Sequence, residues 1–238
     1  RRSWVDEFDE AWARRHLGGR GIAAAILWEE LTAHTDPLGP DNRLILVSGP
    51  LAGAPVAGAG RVHVMGRSPL TGGYGEANAG GGFGPQMKCA GYDAIVVTGA
   101  AEKPVYLWIR DGRVEFRDAT HLWGQTVGDA QDQILAEVGD PRAIVAAIGP
   151  AGEGRLPMAS VVCERHRVAG RTGMGAVMGA KGLKAIAIRG TGKVPVAQPD
   201  RLRELARTVA KVTMDGPRGQ AIRQYGTPLG VLGHQAMG

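Results

Sequence analysis

Two stretches of this chain repeat one another. From Asn78 the sequence reads NAGGGFGPQMKCAGYDAIVVTGAAEKPV, and from Arg167 it reads RVAGRTGMGAVMGAKGLKAIAIRGTGKVPV. Each runs through a glycine cluster into a short helix-like piece holding Lys88 or Lys181. An apolar strand, a glycine turn and a Lys-Pro-Val or Lys-Val-Pro-Val ending follow. The echo extends upstream, where LILVSGPLAG at 44–53 answers AIVAAIGPAGE at 143–153, each with a Gly-Pro pair. A period of roughly 90–100 residues is too long for one solenoid unit, which runs about 20–50. The pattern predicts a duplicated half-domain, two copies related by a pseudo-two-fold axis, with one glycine loop in each.

Glycine loses more backbone freedom on folding than any other residue, so its clustering needs a cause. Glycine occupies 38 of 238 positions, about 16% against a usual ~7%. The glycines follow no Gly-X-Y period and gather between apolar runs, where they suit turns and close backbone approaches. The cluster from Gly80 to Gly84 therefore predicts a backbone pressed closely by a flat or anionic ligand. On this reading Gly81 lies in a loop with no packing role, and Gly81→Val would empty the site without harming the fold.

The remaining chain reads as mixed α and β. DEFDEAWARRHL, from Asp6 to Leu17, predicts a helix stopped by Gly18-Gly19, and a second helix runs from about Ile22 to Ala33. Strands are expected at Arg43–Ser48, Arg61–Gly66, Ala94–Thr98, Val105–Arg110, Val114–Arg117, Ala143–Ile148, Met158–Cys163 and Leu183–Arg189. Asp111-Gly112 between two of them is a strong hairpin signal. Thr126, with Asp129 three residues on, resembles a capping box for a helix through Val138. After VPVAQPD, an amphipathic helix from about Arg201 to Val212 opens a different domain. Helices fall irregularly among grouped strands, which indicates an α+β fold of two sheets with flanking helices. The predicted organisation is one domain over 1–196 and the start of a helical domain over 197–238, with the chain incomplete at both ends.

Composition excludes several function classes. The net charge is +5, but lysine and arginine are scattered and aromatics are only 5%, which argues against nucleic acid. A phosphorylated small ligand suits the charge equally well. Cys89 and Cys163 form no CxxC pair and no disulfide framework, and no apolar run reaches 18 residues. These features imply a soluble, cytoplasmic chain with no membrane segment.

The chemical motifs narrow the field further. Gly173-Met-Gly175-Ala-Val-Met-Gly179 approaches a dinucleotide fingerprint, but its lead-in CERHRVAGRT is polar and glycine-broken rather than a strand. No acidic residue follows at the required distance, and no Walker A loop, G-x-S-x-G elbow or H-E-x-x-H occurs. Cys163 and His166 make a lone C-x-x-H, short of the three or four ligands a zinc site needs. What remains is the pair of glycine loops, flanked by Asn78 and Arg61 in one repeat and by Arg167 and Arg171 in the other. Glycine loops expose backbone N–H groups, and arginine offers a planar fork to phosphate.

In the residues so far quoted, and in LGGRGIAAAIL, DPLGPDNRLILVSGPLAG, the run from GRVHVMG to VYLWI, DATHLWG, IGPAGE and HRVAGRTGMGAVMGAKGLKAIAI, the chain resembles the N-terminal domain of the tungsten-dependent aldehyde:ferredoxin oxidoreductases. The match covers most of residues 17 to 195 in the family's order. It implies a base of two β-sheets on which two molybdopterins lie, holding one tungsten between their dithiolene sulfurs. Each half-domain would then serve one pterin. Arg61, Asn78 and Gly80 match contacts to one pterin, and Arg167, Val168 and Gly170 match contacts to the other. Oxygens of Asn78 and the carbonyl of Val168 match ligands of a magnesium ion bridging the pterin phosphates. His166 is a weaker candidate beside Arg167.

The resemblance implies oxidation of a small-molecule aldehyde to a carboxylic acid, with electrons passing through a 4Fe–4S cluster to ferredoxin or an electron-transfer subunit. It leaves a homo-oligomer open. The family's cluster cysteines and proton-moving residues belong to later domains, so no catalytic residue is assigned here and this stretch alone is expected to be inactive. A strand that opens family members is missing. Two alternatives stand beside this reading: the tungsten subunit of an aromatic acyl-CoA reductase, and a non-catalytic scaffold that keeps the fold.

Overall fold

The computed structural model describes residues 2–236. Helices α1 (Glu10–His16) and α2 (Arg20–Glu30) precede strands β1 (Leu44–Ser48), β2 (Val62–Arg67) and β3 (Tyr74–Ala79). Helix α3 (Phe83–Cys89) leads to β4 (Ala94–Val97), followed by the hairpin of β5 (Val105–Arg110) and β6 (Arg113–Asp118). Then come α4 (Val127–Val138), β7 (Ile144–Ala147), α5 (Pro150–Glu153), β8 (Val161–Cys163), β9 (Arg167–Ala169), α6 (Met174–Ala180) and β10 (Leu183–Arg189). These elements form one compact unit, which holds the chain through Val194 apart from Pro55–Ala57. A second unit consists of Pro55–Ala57 and the residues from Pro195 onward. It contains α7 (Pro199–Asp215), α8 (Pro217–Tyr225) and α9 (Gly230–Ala236). Residues 237 and 238, at the end of the expected second domain, lie outside the described residues. Among the described residues no helix is long and apolar enough to cross a membrane.

The α+β expectation holds, and the sheets display the duplication directly. One sheet has the order β3-β2-β1-β4, and the other reads β9-β8-β7-β10-β5-β6. Within each, the four repeated strands pair antiparallel in the same way. The β5–β6 hairpin extends the second sheet through a parallel pairing of β5 with β10. Register fixes which residues correspond. Ala79 lies opposite Val62 as Ala169 lies opposite Val161, and Asn78 lies opposite His63 as Val168 lies opposite Val162. Asn78 therefore corresponds to Val168 and Gly80 to Gly170.

Alternation along the strands explains the layers. Leu44, Leu46, Val62 and Val64 of the first sheet and Leu107, Ile109, Ile186 and Ile188 of the second share one core, filled from α3 by Phe83 and Met87 and from α6 by Met174 and Met178. The other face of the first sheet, with Ile45, Val47 and Met65, packs on Ile22 and Leu27 of α2. The other face of the second, with Tyr106, Trp108 and Val145, packs on Ile134 of α4. Strands β1 and β10 are covered on both faces, which is why β1 opens as the apolar run LILV and β10 is apolar from Ala185 to Ile188. Glycines let the layers close. A Cβ at Gly179 would fall 1.9 Å from the Gly152 carbonyl, and one at Gly175 would fall 2.6 Å from that of Ser160. The Gly173–Gly179 pattern is thus a packing device that seats α6 against α5 and the segment 157–160.

Local signals act as expected in several places. Asp111 and Gly112 both have positive φ, 45° and 83°, in the β5–β6 turn. Thr126 caps α4 by accepting the Asp129 N–H. Helix α1 starts at Glu10 rather than Asp6, because the Asp9 side chain accepts the Trp12 N–H at 2.7 Å and caps it there. The two strands that sequence reading missed, β3 and β9, carry the site.

Candidate functional site

The edge strands β3 and β9 come within 8 Å of each other, bringing the two repeats together. On β3, Ala77 and Ala79 enter the shared core, so Glu76 and Asn78 face away from it; on β9, Ala169 enters the core and Val168 faces out. Glu76, Ala77, Asn78, Val168, Gly170 and Arg171 line one cleft of about 400 Å³. Three of the six expected site residues meet here. Arg61 joins them through Asn78, whose Oδ1 accepts its Nη1–H at 2.5 Å. Arg167 lies beside the first loop, its Cγ 3.2 Å from where a Gly81 Cβ would stand. Gly80 follows Asn78 at the end of β3. His166 is exposed on the β8–β9 turn and is not among the residues lining the cleft. Burial pushes the Cys163 thiol up to about 12, which makes it a core cysteine. Among the described residues, no group of three or more His, Cys, Asp or Glu converges on a metal position.

Asn78 is held at both ends of its amide. Its Nδ2–H donates to Glu76 Oε1 at 3.0 Å, and His63 Nδ1 lies 2.9 Å from the same oxygen. Its Oδ1 is engaged by Arg61, which leaves the backbone carbonyl free of the side-chain network. Burial raises the Glu76 carboxyl, but hydrogen bonds from His63 and Asn78 and the charges of His63 and Arg20 outweigh it. The folded pKa therefore lies below the usual 4.5. A carboxyl depressed in the folded state stabilises the fold above its unfolded pKa, and that stability is lost as pH falls below 4.5 toward the folded value. Glu76→Gln is expected to flatten this acid-side loss in thermal melts between about pH 3 and 6. An unchanged slope would show that the carboxylate is not held as described.

The glycines of the first loop divide into two kinds. A Cβ at Gly80 would meet nothing within 4 Å. Gly81 has φ +102°, and a Cβ there would fall 1.8 Å from Glu164 Oε2. A Cβ at Gly82 would lie 2.4 Å from Ile144 Cδ1, and one at Gly84 3.0 Å from the Arg61 carbonyl. The expectation that Gly81 has no packing role is therefore wrong. What approaches Gly81 and Gly82 is the protein itself, through the side chain of Glu164. Only Gly80 opens onto free space. In the second loop, a Cβ at Gly170 would touch Val168 Cγ1 at 3.3 Å and Ser160 Oγ at 3.5 Å.

Sequence reading missed Glu76, His63 and Glu164. The only available signal for Glu76 was its alternation with Asn78 at i and i+2, and that signal requires β3 to be recognised as a strand. Glu164 offers none, since its partner, the Gly82 N–H, is 82 residues away in the chain.

The profile of the family described as "Aldehyde ferredoxin oxidoreductase, N-terminal domain" matches residues 1–190. The tungsten-containing aldehyde ferredoxin oxidoreductase of Pyrococcus furiosus is 46% identical over 224 residues, 94% of this chain and 37% of that protein. The protein of the same description from Thermococcus kodakarensis is 45% identical over the same shares. Among solved structures, the active-site complex of benzoyl coenzyme A reductase with 1,5-dienoyl-CoA is similar at a TM-score of 0.84 and 41% identity, covering 86% of this chain and 31% of that one. The chain thus spans little more than a third of the length of the curated relatives it matches.

Proposed function

The chain belongs to the aldehyde ferredoxin oxidoreductase family, whose N-terminal domain it carries, and on that premise we propose that its cleft is one wall of a tungsten bis-molybdopterin site in an enzyme oxidising aldehydes to carboxylic acids. The observation that carries this reading is the meeting of the repeats. Asn78 with Val168 and Gly80 with Gly170 are register-equivalent pairs, and three of these four residues line a single cleft. Equivalent loops related by duplication suit two copies of one ligand.

The residues fit such a group. Gly80 needs no glycine for any protein contact, so its missing side chain leaves room for a flat ring. Arg171 lines the cleft, Arg61 reaches it through Asn78 and Arg167 lies beside the first loop, and each carries a planar fork suited to phosphate oxygens. When bound, the tungsten–pterin group supplies the two-electron redox chemistry. This chain's residues bind and orient it: Arg61, Asn78 and Gly80 toward one pterin, Arg167, Val168 and Gly170 toward the other. With Asn78 Oδ1 occupied by Arg61, the backbone carbonyls of Asn78 and Val168 would be the protein oxygens that hold a magnesium ion. Magnesium commonly keeps several waters and takes few protein oxygens. Electrons would leave through a 4Fe–4S cluster in the remainder of a longer cytoplasmic protein, toward ferredoxin or an electron-transfer subunit. The likeness to the benzoyl coenzyme A reductase complex favours a second reading, the tungsten subunit of an aromatic acyl-CoA reductase, which would use the same cleft.

Elemental analysis of the full-length protein, purified without oxygen from tungstate-fed cells, tests the proposal. About one tungsten and about four irons per chain are expected, with pterin fluorescence after acid release. A folded protein without tungsten or molybdenum would instead support an empty scaffold. Arg167→Ala should lower pterin content while leaving the circular dichroism unchanged, and equal retention would remove Arg167 from the site. Turnover with aldehydes against aromatic acyl-CoA thioesters separates the two enzymatic readings.

A further inference from the structure

We propose that Glu164 is a positioning residue that fixes the separation of the two cofactor-binding loops, an inference that rests on the reading of the cleft given above. Glu164 and Arg165 form the β8–β9 turn with φ of 49° and 65°, a left-handed backbone that residues other than glycine, asparagine and aspartate seldom adopt. Such conformations persist only where the surroundings hold them. Here the second repeat and α4 supply that hold. The Glu164 N–H donates to the Val145 carbonyl at 3.2 Å, and the Arg165 N–H donates to Gln131 Oε1 at 2.8 Å. The Arg165 guanidinium also pairs with Asp132.

The strained turn aims the Glu164 carboxylate out of its own repeat and into the other. Its Oε2 accepts the Gly82 N–H at 3.0 Å. The first loop is shaped to receive it, since the missing side chains of Gly81 and Gly82 are those that would strike Glu164 or Ile144. Gly80, which opens onto free space, lies two residues before Gly82. Val168 and Gly170 lie on the strand that Glu164 introduces and in the loop after it. One carboxylate of fixed length thus links the loop assigned to one pterin to the hairpin assigned to the other. A second link, from Ser68 Oγ–H to the Thr172 carbonyl at 2.8 Å, joins the repeats by way of the β2–β3 turn and the second loop. It does not touch the first loop.

Three variants of the full-length protein test this role: Glu164→Asp, Glu164→Gln and Gly80→Val. Aspartate tolerates the left-handed turn better than glutamate, so the fold is kept, but its carboxylate is one methylene short of Gly82. Glutamine keeps both the length and an acceptor oxygen. In Glu164→Asp, hydrogen exchange at the Gly82 amide is expected to quicken by about tenfold or more, the loss of one hydrogen bond to a charged group. Tungsten and pterin content should fall with it. Glu164→Gln should retain both protection and cofactor, and Gly80→Val should lose cofactor while Gly82 stays protected. A Glu164→Asp protein that exposes Gly82 yet loads fully would overturn the positioning role, and one whose Gly82 stays protected would refute the link itself. Full loading in both Glu164→Asp and Gly80→Val would overturn the underlying cofactor reading.

Discussion

Gly80→Val is expected to strip the full-length protein of tungsten and pterin while leaving it folded, whereas Gly81→Val should destabilise the fold itself by about 1–3 kcal/mol through backbone strain. The two residues are neighbours in a run of three glycines, and their environments are opposite. At Gly80 a Cβ would meet no protein atom within 4 Å and φ is not positive, so the fold is expected to tolerate the change. The new side chain would project into space assigned to the cofactor, and overlap costing 1.4 kcal/mol or more lowers retention by about tenfold or more. At Gly81 the backbone has φ +102°, which valine cannot adopt without strain of order 1–3 kcal/mol. Its Cβ would also stand 1.8 Å from Glu164 Oε2, so the flexible carboxylate would have to swing away from the Gly82 N–H. Metal content, pterin fluorescence and melting temperature distinguish the two variants. A Gly80→Val protein with its full complement of tungsten would remove the first loop from the site. An unchanged melting temperature for Gly81→Val would contradict the backbone conformation described.

Lys184→Met, a change outside the cleft lining, should be strongly destabilising. Lys184 on β10 is fully buried, and its Nζ donates to the Gln125 carbonyl at 3.0 Å and pairs with Glu153 of α5. Glu153 is nearly as buried, with its second oxygen accepting the Gly124 N–H at 2.7 Å. The pair ties α5 and the loop before α4 to the central strand of the larger sheet. Removing the lysine leaves a buried carboxylate without its cation, which costs about 3–5 kcal/mol. Against a usual total of about 5–15 kcal/mol this is severe. It corresponds to a drop in melting temperature of roughly 6–20 °C for a unit of this size. Combining Lys184→Met with Glu153→Gln removes the charge yet keeps an acceptor for Gly124, so most of the loss should be recovered. Thermal melts of the single and double variants test this, and a loss under about 1 kcal/mol for Lys184→Met would show that the pair is not buried as described.

Part of the candidate cleft was legible before any coordinates. Of Arg61, Asn78, Gly80, Arg167, Val168 and Gly170, which stood out through the repeat and the family resemblance, Asn78, Val168 and Gly170 line one cleft. Their carriers were misread. GEANA in β3 contains small and polar residues with low strand propensity, and RVA in β9 is only three residues long, so both passed for loops. They become strands because β2 and β8, rich in valine, give them a ladder to pair with. The same non-local cause hid Glu76, whose place on the cleft face follows from strand alternation.

The sequence by itself determined what depends on neighbours in the chain. Apolar periodicity set the helices and the buried strands, Asp111-Gly112 set the hairpin, Thr126 set the start of α4, and the repeated order of motifs set the duplication. Tertiary structure alone decided which glycines serve the fold and which open onto free space. Gly80, Gly81 and Gly82 are identical as letters, and they differ only because Glu164 and Ile144, distant in sequence, come to stand against two of them. A missing side chain records that something comes close, and only the packed chain reveals what that is.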